Sequence, residues 1–305
     1  MPSWWPFRRR SRATTATTAT TADRRKNALH GREYAFGVPY ALPTDMNETN
    51  RLDFQHYVLR SAFKGNYAAP IQNPRAILDV GTGTGRWAIE MAQLFPAAQV
   101  IGVDVLEPQP DQQAETNPEL DRRPPNYRFQ AANILEGLPF PDGNFDFVHQ
   151  RLLFLAIPAD RWEFVFHELY RVTRPGGWAE VVESDLAYEP EGPTARRVRE
   201  ISLAAMLKRG LDPRNSTRLV ELLREVGFIN VQKHTLHLPT GAWGGRIGTL
   251  VGANIDQGTQ AFKPLLLAQG MTEDDFTQFT ATMRAEREQL HSTWPFYIAY
   301  GQRPA

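Results

Sequence analysis

From Arg75 onward, apolar residues alternate between short continuous runs and stripes at helical spacing. Ala76-Ile-Leu-Asp-Val80 predicts a buried strand, Gly81-Thr-Gly-Thr-Gly85 a tight turn, and the residues through about Phe95 an amphipathic helix. Gln99-Val-Ile-Gly-Val-Asp104, Tyr127 to Ala131 and Phe145-Asp-Phe-Val-His149 predict three more strands. Between Arg161 and Thr173, the residues Trp162, Val165, Phe166, Leu169 and Val172 recur once per helical turn. Pro175-Gly176-Gly177 is expected to stop that helix, and Trp178 to Glu183 predicts a fifth strand. Strands separated by helices of this length predict an α/β fold, a doubly wound, Rossmann-like, mostly parallel sheet.

Two regions depart from this alternation. Residues 31–74 form a predicted helical cap, with a helix from Glu48 to Phe63 that is expected to pack over the sheet edge or over the site. Ser216 to Val226 predicts a helix with Ser216 as N-cap and Gly227 just past its end. Phe228 to Leu238 and Pro295 to Tyr300 bring the sheet to about seven strands. Residues 239–293 lie between those two strands and are too long for a hairpin connection, so a helical lid or substrate cap is expected there. Periodicity does not order the strands.

Charge adds one feature. The 34 basic and 34 acidic residues cancel, which removes a strong case for a nucleic-acid or membrane-surface protein. Residues 1–30 nevertheless hold seven basic residues and one acid around a Thr/Ala repeat from Ala13 to Ala22, and are expected to be a disordered tail. An organelle transit peptide, or membrane contact through Trp4, Trp5 and Phe7, are the other readings of that segment. The expected compartment is the cytoplasm, with nucleus or organelle as the alternative if the tail is an address. No apolar run approaches the roughly 18 residues of a membrane span. The chain has no cysteine, which excludes disulfides, thiolate metal sites and cysteine nucleophiles.

The glycine loop narrows the ligand. A dinucleotide fingerprint requires glycine at position 86, where Arg86 stands, and a phosphate-cradling loop requires a terminal Gly-Lys-Ser/Thr that is missing. Asp79-Val-Gly81-Thr82-Gly83-Thr-Gly85 instead resembles the first motif of class I S-adenosylmethionine-dependent methyltransferases. The resemblance implies S-adenosyl-L-methionine as cofactor and residues 75–305 as the domain that binds it. It places Asp104, with Val105, at the ribose hydroxyls. Asn133, followed by the amide of Ile134, falls where the family reads the adenine edge, although the family often has aspartate there. Phe145-Asp-Phe-Val148 and Arg171-Val-Thr-Arg-Pro-Gly-Gly177 also resemble family segments, so that residues 75–183 are covered.

Upstream, Tyr40-Ala-Leu-Pro-Thr-Asp45 and Asn50-Arg51-Leu-Asp-Phe-Gln-His56 resemble a fungal subgroup that includes proteins similar to the secondary-metabolism regulator of the velvet complex. That likeness implies cofactor contacts by Tyr40 and Arg51, with Tyr34 a weaker candidate. At the end of the fourth strand, His149 is a candidate general base, and Gln150 is placed beside the cofactor's methyl group. Glu183, closing the fifth strand, is expected to face the same crevice. The absent cysteine and the absent Asn/Asp-Pro-Pro-Tyr motif argue against DNA-base methylation, and Arg123-Pro-Pro-Asn-Tyr127 lies in the wrong place. His234 and His237 fall on opposite strand faces, so no metal site is expected. The expected activity is methyl transfer to a small molecule at oxygen, nitrogen or carbon. Trp243, Phe262, Leu265, Leu266 and Phe276 suit an apolar substrate pocket and equally a small helical core. The alternative is a regulatory protein that keeps the cofactor and acts through protein partners; oligomeric state is open.

Overall fold

The computed structural model describes residues 27–29, 32–34, 39–40, 42–108 and 123–305. The Thr/Ala repeat, the basic clusters and the tryptophans of the N-terminal tail lie outside the described residues. Its expected boundary at residue 30 falls inside a short antiparallel ribbon, β1 (Asn27–Leu29) against β2 (Arg32–Tyr34).

The expected cap helix is α1 (Met46–Phe63). Its N-cap is Asp45, whose carboxylate accepts from the Glu48 amide at 3.1 Å. There follow β3 (Ala76–Val80), α2 (Arg86–Leu94), β4 (Gln99–Asp104), β5 (Tyr127–Ala131), β6 (Phe145–Arg151), α3 (Trp162–Val172) and β7 (Thr173–Ser184). The second half comprises α4 (Pro193–Leu207), α5 (Leu219–Glu225), β8 (Ile229–Pro239), α6 (Gly245–Leu267), α7 (Glu273–Gln289) and β9 (Thr293–Gln302).

The sheet runs β5-β4-β3-β6-β7-β9-β8, with β9 antiparallel to both neighbours and the other adjacent pairs parallel. Chain order therefore reverses between β3 and β6. The loops leaving those two strands diverge at this point and open a crevice at their carboxyl ends, where ligands bind in such sheets.

Side chains alternate between the two faces of the sheet. One face carries Ile77, Asp79, Phe147, His149 and Glu180, and α2 covers it with Trp87, Ala88, Met91 and Ala92. The other carries Leu78, Val80, Val148, Gln150 and Glu183, and the buried stripes of α3 and α5 cover it. Further along, α1 and α6 pack on β8 and β9 through Val58, Leu59, Val251, Ile255, Phe296 and Ile298. The region 239–293 is thus two helices, and with α4 they form a helical cap above the crevice. Glu286 of α7 clamps this cap, because its carboxylate accepts from the Thr194 and Ala195 amides at the start of α4.

Three local expectations need correction. Helix α3 ends at Val172, before the Pro-Gly-Gly, since Arg174 precedes a proline and the Thr173 hydroxyl bonds back to the Leu169 carbonyl at 2.6 Å. Pro175-Gly176-Gly177 then lies within β7. Ser216 does not cap a helix: it sits inside a 3₁₀ segment, Pro213–Arg218, whose N-cap is Asp212. Its hydroxyl is buried and donates to the Pro213 carbonyl.

Candidate functional site

The glycine loop after β3 forms one wall of a cavity of about 790 Å³. Gly81, Gly83 and Gly85 have φ of 69°, 55° and 78°, a region that side-chain-bearing residues rarely adopt. A Cβ on Gly81 would stand 2.4 Å from Leu153, and one on Gly85 would stand 2.8 Å from the Tyr127 hydroxyl. On Gly83 it would meet nothing closer than Leu52 at 3.9 Å, so this residue is bare toward the cavity. Gly81, Thr82 and Gly83 line the cavity. Gly85 does not; it starts α2 and permits the turn.

Asp104 closes β4 opposite this loop. Its Oδ2 accepts from the Gly83 amide at 2.9 Å and its Oδ1 from the Val105 amide at 2.7 Å. Burial raises its pKa and the amides of Gly83, Leu106 and Val105 oppose that shift. Asp104 and Val105 both line the cavity, so this carboxylate joins a glycine loop approachable at backbone distance, the combination that fits a ribose diol. Asn133 and Ile134 line the next stretch of wall. The Asn133 side chain is occupied, accepting from the Leu135 amide at 3.1 Å and donating to Glu136 at 2.9 Å. It therefore caps the turn Ile134–Glu136.

Asp79 lines the floor with both oxygens engaged: Oδ2 accepts from the Thr82 hydroxyl at 2.7 Å, and Oδ1 lies 2.9 Å from His149 Nδ1. The His149 ring stacks on Trp87 with centroids 3.8 Å apart and planes within 5°. Burial lowers its pKa, against the opposing effect of Asp79, so the imidazole is neutral near pH 7. His149 Nε2 is enclosed without a hydrogen-bond partner. His149 lines the cavity with Nδ1 held by Asp79 and Nε2 buried, an arrangement that favours a positioning role over the general-base expectation.

Gln150 and Glu183 are also misplaced as ligands of the site. Both are fully buried on the opposite face of the sheet from His149, since neighbouring strand residues point to opposite sides. The Glu183 carboxylate accepts from the Leu153 and Phe154 amides at 2.9 and 3.3 Å, with Gln150 Nε2 at 3.4 Å. Burial pushes its pKa up to about 8, opposed by those amides and Gln150. It is a strut that holds the loop after β6, which in turn shapes the cavity wall through Leu153 and Phe154.

Tyr40 and Arg51 both line the cavity. Burial holds the Tyr40 phenol well above its usual pKa, and Glu48 adds to this. Arg51 is 7% exposed and forms a two-pronged pair with Glu48, one turn earlier. These two belong to a stripe that sequence reasoning missed: Glu48, Arg51, Leu52, Gln55 and His56 all line the cavity. Their spacing of three and four residues places them on one side of α1. A mostly polar stripe at helical spacing, in a helix without a strong apolar face, was the available signal. His56 Nδ1 lies 2.9 Å from Arg151 Nη2, and Arg151 has no carboxylate within salt-bridge distance among the described residues.

Of the apolar residues expected in the substrate pocket, Phe262 and Leu266 line the cavity. Leu265 and Phe276 are buried without lining it, and Trp243 lies outside, stacked on His291 with centroids 5.0 Å apart. Asn254, Tyr188, Ser202 and Trp294, which no sequence motif marked, do line it. Tyr34 is paired in the N-terminal ribbon, and nothing further is described for its side chain. His234 stacks on Tyr300 and His237 lies 3.3 Å from Glu189; among the described residues no group of side chains is arranged to hold a metal. No helix among the described residues is long and apolar enough to cross a membrane.

Comparison with known proteins agrees with this geometry. A methyltransferase-domain family profile matches residues 77–177. Methyltransferase pytC of Aspergillus terreus (strain NIH 2624 / FGSC A1156) is 30% identical over 299 residues, covering 90% of this chain and 87% of the relative. Secondary metabolism regulator LAE1 of Cochliobolus heterostrophus is 31% identical over 219 residues, covering 67% of each chain. In fold, the chain resembles phosphoethanolamine N-methyltransferase 2 of Haemonchus contortus in complex with S-adenosyl-L-methionine, with a TM-score of 0.51 and 16% identity. That match covers 88% of this chain and spans 55% of the length of the solved one. The chain belongs to the S-adenosylmethionine-dependent methyltransferases, in the group that includes fungal secondary-metabolism methyltransferases.

Proposed function

We propose that this methyltransferase acts on a small, largely apolar acceptor held beneath the helical cap of α4, α6 and α7. The observation that carries this reading is the continuity of the cavity. Its walls run from the glycine loop and Asp104 to Val198, Ile255, Phe262 and Leu266 of the cap. A cavity of about 790 Å³ is in the range of small-molecule sites, where apolar walls and a few polar groups are the rule.

When bound, S-adenosylmethionine supplies an electrophilic methyl group on a sulfonium. The chain's own contribution is to hold the two reactants in line and away from water. Asp104 and the loop amides would hold the ribose. Arg151, a cation on the cavity wall, would hold the carboxylate of the methionyl tail. His149 would act at one remove, by fixing Asp79 beneath the loop.

This division of labour predicts the behaviour of His149→Gln. The expected loss is in cofactor affinity, by roughly 5–20-fold, the cost of one buried hydrogen bond. The pH profile of kcat should keep its shape. A profile whose acidic, ascending limb disappears in His149→Gln would restore the general-base role. The activity itself is tested by incubating the protein with S-adenosylmethionine and a panel of small phenols, amines and amides. Mass spectrometry should reveal a product heavier by one methylene and stoichiometric demethylated cofactor. Tight cofactor binding with no product across the panel would favour the regulatory reading.

A further inference from the structure

The capped half of the cavity contains a polar group that the protein leaves unsatisfied. Asn254 lies on α6, is 2% exposed and lines the cavity, and its Oδ1 has no hydrogen-bond partner. A buried carboxamide without partners is costly, and an amide can present either its acceptor or its donor by rotation about its terminal bond. The surrounding wall is mostly apolar, formed by Tyr188, Val198, Ile255, Phe262, Leu266 and Trp294. Ser202 of α4 also lines this half, and two other polar groups here are already occupied. The Trp294 indole N–H donates to the Asp185 carbonyl at 2.9 Å, and the Thr259 hydroxyl donates to the Ile255 carbonyl at 2.9 Å. The cation of this half, Arg199, is neutralised by a two-pronged pair with Glu191 at 2.6 and 2.9 Å.

We infer that Asn254 is the specificity-determining residue for the acceptor, selecting an uncharged apolar molecule whose hydroxyl or N–H group pairs with its carboxamide. This rests on the proposed small-molecule function and names the substrate class for it. An apolar molecule without such a group would leave the amide unpaired. A carboxylate or phosphate would enter the apolar wall without a free cation to receive it.

The test uses three probes of one shape, 2-naphthol, 2-methylnaphthalene and 2-naphthoate, titrated by fluorescence into the full chain with and without S-adenosylhomocysteine. The wild type should bind 2-naphthol, and bind 2-naphthoate at least tenfold more weakly. Replacing Asn254 by leucine should shift the ratio of 2-naphthol to 2-methylnaphthalene affinity at least tenfold toward the hydrocarbon. Asn254→Ala should shift it the same way, which guards against unfolding by the larger side chain. Gly258→Leu locates the probes: Gly258 lines the cavity on α6, and a Cβ there meets nothing within 4 Å. That variant should fold and lose both neutral probes.

An unchanged affinity ratio in both Asn254 variants would overturn the assignment. So would neutral-probe binding that survives Gly258→Leu, or a wild type that binds no neutral probe. S-adenosylhomocysteine is scored separately by its thermal shift. Its failure to bind would count against the cofactor site, whereas the probe ratio decides Asn254 in either case.

Discussion

Asp104→Ala abolishes most of the thermal stabilisation that S-adenosylmethionine or its demethylated product confers on the wild type. At a ligand concentration near 100 dissociation constants, linkage gives the wild type about 2.7 kcal/mol. For a chain of this length that raises the midpoint by on the order of 5 °C. Asp104 contributes twice, because its carboxylate fixes the Gly83 amide at 2.9 Å and is placed to accept from the ribose. Loss of charge-assisted hydrogen bonds of this kind costs about 3 kcal/mol, roughly a hundredfold in affinity. At the same ligand concentration the stabilisation then falls to about 0.4 kcal/mol, a shift below one degree. Scanning calorimetry of both proteins with and without ligand reads this directly. A full shift retained by the mutant would remove Asp104 from the cofactor site.

Replacing Glu183 by alanine should lower stability and spare the intrinsic methyl-transfer rate of the folded protein. The side chain is fully buried and holds two backbone amides of the loop after β6. Its removal leaves both amides unpaired and opens a void, together costing about 3–5 kcal/mol. A fall in midpoint of roughly 5–8 °C follows. A catalytic carboxylate would behave in the opposite way, losing rate while keeping the midpoint.

The pH dependence has a definite sign. Glu183 is raised from 4.5 to about 8 in the folded chain, chiefly by burial. The folded state therefore holds this proton more tightly than the unfolded state does. Its contribution is fully present below about pH 4.5 and is lost as pH rises through about 8. Glu180, raised by burial to about 7 and bonded to the Ala68 and Ala69 amides, has the same sign. Glu183→Gln should accordingly flatten, without abolishing, the decline of stability between pH 5 and 8. An unchanged slope in urea titrations across that range would show that Glu183 is ionised in the folded protein.

The parts of the site that were legible in the sequence are those carried by local backbone chemistry. Strands β3, β4 and β5 occur over the residues expected, because short runs of mostly apolar residues between turn signals have few other uses. Gly81, Gly83 and Asp104 meet on the cavity wall, since a loop that turns through three left-handed residues brings its backbone against a strand-end carboxylate. Gln150 and Glu183 were misjudged because proximity to a strand's carboxyl end was weighed above strand parity. One step along β6 from His149 reverses the direction of the side chain. Helix α4 went unread between the fifth strand and the Ser216 segment, where Arg196, Arg197 and Arg199 interrupt its apolar positions.

The cofactor came from the resemblance of its motifs to a known family; by itself the sequence determined the fold class, the glycine loop and the presence of a helical region before the last strand. Each follows from patterns within a few consecutive residues, where periodicity and backbone freedom act. Only the tertiary structure decided the strand order, the inward polar stripe of α1, the enclosure of His149 and the meeting of Asn254 with the capped end of the cavity. Those depend on which distant segments share a wall. Burial, which sets whether a carboxylate is a strut or a reactant, is a property of the packed chain and of no single stretch of it.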